Sequence, residues 1–297
     1  MDKGGKVRLR IINAASATVF WIDTGALEAS LVDVDGDAMQ PLACPRFGIA
    51  MGQRMDLDLT FASEGGAFPI LALREGVEEH TGLILATPGA SIAKIAGKGL
   101  AAPAFSSDTT QDANLRAAVS LPDRPVTNRQ MLIQAGSMSP CRWTFNGAIW
   151  DDHQPVMAKA GERVEITVHN MSMMSHPMHL HGHTFQVVQF GGDRIAGAVR
   201  DSVLVPPMMA VRLALDAGEA ASWMLHCQHM AHLATGMMTE FWFLPDRSAA
   251  APTVPWSILG LGSAFRQTGP TPVGAVTRVH PSPRQSDRAQ RWFQLDR

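Results

Sequence analysis

Two stretches, Ser175-His-Pro-Met-His-Leu-His-Gly-His183 and Trp223-Met-Leu-His-Cys-Gln-His-Met-Ala-His232, the second followed by Gly236-Met237, hold seven of the eleven histidines of this 297-residue chain and one of its three cysteines. In an extended strand the side chains at i and i+2 share a face, while i+1 points to the other. His179 and His181 therefore project together, and His226 projects with Gln228, opposite to Cys227. Two neighbouring strands read this way carry a metal site on each side of Cys227, so the chemistry itself calls for an all-β scaffold.

On one side, Cys227, His232 and Met237 follow the spacing C-x4-H-x4-M, which lets a single loop between two strands wrap an ion. His176, from the other strand, completes a set of one thiolate, two imidazoles and one thioether. That set describes a blue-copper electron-transfer centre, His2Cys with a weak axial Met, and copper is the expected cofactor. A core cysteine beside unrelated histidines would account neither for a methionine at that offset nor for the upstream His-Pro cluster. On the other side, the alternation groups His179, His181 and His226 into a second metal-binding set.

Working outward, short alternating runs fill most of the chain. Val7, Leu9 and Ile11 alternate with Arg8 and Arg10, and Met55, Leu57, Leu59 and Phe61 share one face of another strand. Asp56 and Asp58 stand on the opposite face, as solvated residues. The spacing of such runs predicts an all-β chain, with a first β-sandwich in residues 1–90 and a copper-binding one in 129–246. Between them, 91–128 is rich in Ala, Gly, Ser and Pro without periodicity and reads as a linker; 247–297 reads as a mostly disordered tail in which 256–261 could dock locally.

Composition narrows the function classes. A formal charge of −2 favours neither a nucleic-acid partner nor a membrane surface. No apolar run approaches the roughly 20 residues of a membrane helix, and the N-terminal residues do not resemble a secretory signal. Cys44 and Cys141 read as buried thiols. Of the 17 methionines, Met171, Met173, Met174, Met178 and Met230 lie beside the histidines, and soft thioethers suit cuprous ion. His80, His153 and His169 are unpaired and read as solvated or locally satisfied, and His183 as a hydrogen-bonding residue of the strand region.

His176-Pro-Met-His-Leu-His-Gly-His-Thr-Phe185, Arg200-Asp-Ser-Val-Leu-Val-Pro-Pro207 and Trp223-Met-Leu-His-Cys227 with Gly236-Met237 resemble the last domain of the multicopper oxidases, the laccases and copper-resistance oxidases. Val7-Arg-Leu-Arg-Ile-Ile-Asn13, Asp35-Gly36 and Gly52-Gln-Arg-Met-Asp56 resemble their middle domain. The resemblance covers about residues 5 to 245. It implies tandem cupredoxin Greek-key sandwiches, with His176, Cys227, His232 and Met237 on type 1 copper, His179 on the type 2 ion, and His181 and His226 on the type 3 pair. Electrons from a small phenolic or cuprous substrate would enter at type 1 and pass through Cys227 and His226 to a trinuclear cluster that reduces O2. A periplasmic or extracellular setting is also implied.

The chain departs from the family pattern in two places. The family has a second histidine after the cysteine where this chain has Gln228, a harder and neutral donor. The family's first domain, with its two further His-x-His pairs, is not found before His176, so the type 1 set is whole while the cluster is a remnant. The resulting expectations are an oxidase that needs another chain to supply histidines, a non-catalytic electron-transfer cupredoxin, or a truncated and largely inactive oxidase. His229 has the wrong parity to replace Gln228. Asp201 is a candidate to orient a ligand histidine.

Overall fold

A computed structural model describes residues 1–105 and 108–245. The proposed tail, with its docking segment 256–261, lies outside the described residues. Eight strands come first: β1 (Lys6–Ile12), β2 (Phe20–Asp23), β3 (Glu28–Val34), β4 (Asp37–Ala43), β5 (Arg46–Ile49), β6 (Arg54–Thr60), β7 (Ala67–Arg74) and β8 (His80–Ala86). They form two four-stranded sheets, ordered β1-β6-β3-β4 and β5-β2-β7-β8. Alternation builds the core between them: in β6, Met55, Leu57 and Leu59 are buried against Leu31, Phe47, Ile49 and Ile70. Asp56 and Asp58, on the outer face, pair across the sheet with Arg10 and Arg8, so these acids are ion-paired rather than merely solvated.

Twelve strands follow: β9 (Asn128–Met138), β10 (Cys141–Phe145), β11 (Val156–Lys159), β12 (Arg163–Asn170), β13 (His176–Leu180), β14 (Phe185–Phe190), β15 (Asp193–Arg194), β16 (Val199–Arg200), β17 (Ser202–Val205), β18 (Ala210–Asp216), β19 (Ala221–Cys227) and β20 (Met238–Leu244). One sheet runs β10-β9-β12-β18-β14-β15, with β16 also on β14, and the other runs β11-β20-β19-β13-β17. They enclose a second core around Val164, Ile166, Phe185, Leu213, Leu225 and Phe241. The architecture is all-β, two sandwiches of cupredoxin type.

The stretch 91–128 is not a featureless linker. Phe105 packs edge-on against Trp21, with ring centroids 5.0 Å apart. Helix α1 (Thr110–Asn114) follows, and Leu115 and Ala117 are buried. The Gln111 side chain accepts from the Gly48 amide at 2.8 Å and donates to its carbonyl at 2.9 Å, and Asp112 meets Arg200 of β16 at 2.7 Å in a buried ion pair. Single apolar residues without a period carry no local signal, because their conformation is set by the walls they pack against. The cysteines also depart from expectation: Cys141 is exposed, being the first residue of β10 at the β9–β10 hairpin, and Cys44 is half-buried. Among the described residues no helix is long and apolar enough to cross a membrane.

Candidate metal centre

β13 and β19 run antiparallel, with Met178 opposite Cys227, His179 opposite His226, and Leu180 opposite Leu225. Directly opposed residues point the same way, so the register places His179 and His226 on the outer face of the sheet and turns Cys227 inward. The inward side is closed by the loop after β19, which contains a short helix, α2 (Met230–Ala234). Two backbone bonds fold that loop back on itself: Cys227 N donates to the Met237 carbonyl at 3.1 Å, and Met237 N to the His232 carbonyl at 2.9 Å. Gly236, at φ +120°, makes this closure possible, since a Cβ there would stand 2.6 Å from the Ile149 side chain.

The loop brings His176, Cys227, His232 and Met237 together, each fully buried. His176 Nδ1 lies 3.0 Å from His232 Nδ1, and Cys227 Sγ lies 3.9 Å from the first and 3.7 Å from the second. The three atoms stand close enough together that one ion would be held by all of them. The far nitrogen of His176 is held by Ser172 Oγ at 2.8 Å, and Ser172 in turn donates to Asn170 Oδ1 at 2.8 Å. Trp143 walls the site, with its ring 4.1 Å from that of His232. His229 stacks on the opposite side of His232 at 3.9 Å and 12°, and His232 Nε2 is buried without a partner.

Burial dominates the electrostatics here. It lowers the imidazoles of His176 and His232 to about 3, leaving both neutral with lone pairs free, and raises the Cys227 thiol to about 12. A neutral thiol and two neutral imidazoles converging in a dry pocket are a donor set that a soft or borderline cation completes by displacing the thiol proton. The residues therefore fit copper.

On the outer face, His179, His181 and His226 form a second group, with ring centroids 4.8, 5.0 and 5.6 Å apart. His181 is exposed, and its Nε2 lies 2.9 Å from His226 Nε2. His226 Nδ1 donates to the Cys227 carbonyl at 3.0 Å, so its Nε2 is left as the free donor atom. His179 Nδ1 faces the Asp201 carbonyl at 3.0 Å. Gln228 does not extend the group: its amide packs where a Cβ on Gly52 of the first sandwich would sit, 2.7 Å away.

His229 belongs to the buried side, consistent with its parity. His183 accepts from the Gly218 amide at 3.2 Å and packs against Trp223 and Phe243. His80 is hydrogen-bonded to the Ala96 carbonyl at 2.7 Å, and His153 stacks on Trp150. Neither joins a metal group. Sequence reading singled out Asp201 as a candidate to orient a ligand histidine, and the structure sets it beside His179; it missed Asp201's partner Arg54, together with Trp143 and Ser172.

The family described as multicopper oxidase matches residues 1–88 and again 123–247. A multicopper oxidase of Mycobacterium tuberculosis, MmcO, is 32% identical over 244 residues, covering 80% of this chain and 46% of that protein. Copper resistance protein A of Escherichia coli is 34% identical over 105 residues, 35% of this chain and 17% of the relative. This chain thus spans less than half the length of either. Among solved structures, the laccase of Botrytis aclada superposes with a TM-score of 0.69 at 19% identity in its L499M form, over 82% of this chain and 52% of that one. A laccase-like CueO from Ochrobactrum reaches 0.62 at 22%, over 81% and 56%. At those identities the likeness is one of fold.

Proposed function

Because this chain belongs to the multicopper oxidase family, we propose that it is a copper-dependent oxidoreductase whose buried His176, Cys227, His232 and Met237 hold a type 1 ion that takes electrons singly from a small reducing substrate. The observation that carries this reading is the buried triangle of His176 Nδ1, His232 Nδ1 and Cys227 Sγ. Copper, when bound there, supplies a one-electron acceptor.

The chain's own residues provide the rest of the route. His229, stacked on His232, is the ring that faces outward, and it lines a cleft of about 200 Å³ with Met51, Glu75, Met173 and Met174. Thioethers beside a neutral imidazole suit a cuprous donor. A second cleft, about 490 Å³, is lined by Ile149, Trp150, Leu233 and Met238 beside the loop, an apolar and aromatic lining that suits a phenolic donor. A further cleft, about 670 Å³ around Lys6, Glu28 and Cys44, is lined by no histidine and has no part in this route. Inward, Cys227 connects to His226 both through the peptide bond and through the His226 Nδ1–H to Cys227 carbonyl hydrogen bond. His226 then faces His181 on the outer surface.

The three outer histidines are too few to hold a trinuclear cluster, so O2 reduction requires further histidines from another chain or segment docked on that face. As part of the same reading, we assign this work to the periplasm or the outside of the cell. A second reading, an electron-transfer cupredoxin without oxidase turnover, is favoured by Gln228 lying against Gly52 instead of beside His226. Copper counting with optical spectra tests both. One blue copper per chain is the expected result. Three or four coppers with a strong near-ultraviolet type 3 band would overturn the remnant reading, and no blue band after reconstitution would overturn the type 1 assignment. Oxygen uptake with cuprous ion or a phenol, with and without a partner bearing His-x-His pairs, separates oxidase from carrier.

A further inference from the structure

We infer that Arg54, from the first sandwich, positions His179 of the second through Asp201, so that the contact between the two sandwiches sets which ring nitrogen His179 offers to a metal. The inference rests on the reading of His179 as a ligand.

Arg54 Nη1 and Nη2 donate to Asp201 Oδ1 and Oδ2, each at 2.7 Å. This is the two-pronged geometry that fixes the plane of a carboxylate as well as its place. The guanidinium is itself braced, because Nη2 also donates to the Asp35 carbonyl at 2.7 Å and Arg54 N donates to Asp35 Oδ1 at 2.9 Å. Asp35 Oδ2 reaches past this pair and accepts from Ser202 N at 2.9 Å. Asp35 sits at φ +55° in its turn with Gly36, which lets one side chain cap β6 and hold β17 together. Residues 201 and 202 are thus gripped from the first sandwich at a carboxylate and at a backbone amide.

Those two residues surround one atom. His179 Nδ1 lies 3.0 Å from the Asp201 carbonyl, 3.2 Å from Ser202 Oγ and 3.3 Å from Asp201 Oδ1. A carbonyl and a carboxylate can only accept. The Ser202 hydroxyl donates to Asp201 Oδ1 at 3.1 Å, so it turns its lone pairs to the ring. With three acceptors around Nδ1 the proton belongs on that nitrogen, and the Nε2 lone pair is left free. A carboxylate behind a ligand imidazole does this in metal sites generally. Here the carboxylate is oriented from another sandwich. Lysine could supply the charge at position 54 but not the fork.

The test is long-range proton–nitrogen correlation spectroscopy on the full chain labelled with 15N-histidine, free of metal, with the His179 signals identified by their loss in His179→Gln. The wild type is expected to show His179 in a single tautomer with the proton on Nδ1. In Arg54→Met both tautomers appear; Arg54→Lys restores the single form only in part; Asp201→Ala, which removes the carboxylate by a different substitution, behaves like Arg54→Met. His176, held by Ser172 away from this network, reports whether each variant is folded. A change confined to His179 supports the inference. A folded Arg54→Met or Asp201→Ala protein with His179 still wholly in the Nδ1–H form overturns it, as does an equal change at His176 and His226, which would make the ion pair a mere clasp between sandwiches. Failure of the underlying ligand reading shows separately, as His179→Gln leaving unchanged the copper content of the outer face once a partner bearing His-x-His pairs is bound there.

Discussion

Cys227 and His226 are neighbours on one strand and live in opposite surroundings. Behind Cys227 every donor comes from the second sandwich and is buried, His176 on β13 and the others on a loop tied to its own backbone. In front of His226 the donors open to solvent at His181, and His179 faces Asp201, whose carboxylate is gripped by Arg54 of the other sandwich. The buried side is complete in itself and stores its readiness as desolvation: two imidazoles kept neutral and a thiol kept protonated until a cation arrives. The open side depends on what lies next to it. The completeness of a site and its autonomy are therefore separate properties, and this strand shows one residue's worth of distance between them.

The sharpest way to break the contrast is Cys227→Ser. Without the thiolate the blue absorption of the reconstituted protein is expected to vanish entirely, while His226 and His181 keep their places; a surviving blue band would mean that the buried side is not the type 1 centre. Next in size is the dependence on pH. With the thiol raised to about 12 and the histidines lowered to about 3, binding one ion releases one proton, from Cys227 alone, anywhere between those values. Copper affinity should therefore rise about tenfold per pH unit across the neutral range. Proton release measured in two buffers of different ionisation enthalpy checks this, and a count of two or more would show that an imidazole is charged in the empty site.

Ser172→Ala is a smaller perturbation of the same side. It leaves His176 Nε2 buried beside an unanswered space, and the loss of a buried hydrogen bond corresponds to about 1–3 kcal/mol of stability, readable by denaturant titration of the metal-free chain. The smallest expected effect lies on the open side. Gln228→His restores the family residue, yet the side chain at 228 is directed at Gly52, so copper content should stay at one per chain. A second bound copper in this variant would show that the outer face lacks only one imidazole.

How much of this was readable beforehand follows from the range of the interactions. The division of the histidines into two faces follows from strand parity, a property of consecutive residues, and β13 and β19 keep it. The loop proposed to hold copper is also local, with every proposed ligand but His176 at or inside one connection. What escaped is non-local. Asp201 was legible as a candidate orienting group, but its partner Arg54 stands 147 positions away, Trp143 joins the site from another sheet, and nothing in the spacing of Arg54 or Trp143 announces a metal. Edge strands such as β4, which contains Pro41, and β5, which begins just after Pro45, lack clear alternation, and an edge position is where proline is tolerated. Cys141 escaped because exposure at a hairpin end depends on register rather than residue type.

The strap between the sandwiches has a consequence for which side chains can be exchanged. Arg200 and Asp112, with side chains only 2% and 6% exposed, meet at 2.7 Å where the strap crosses β16. Replacing either one alone leaves the other a buried charge without its partner, at a cost of about 3–5 kcal/mol. Neither side chain is therefore exchangeable singly, and the pair ties the stretch 91–128 to β16, directly before the Asp201 that Arg54 grips.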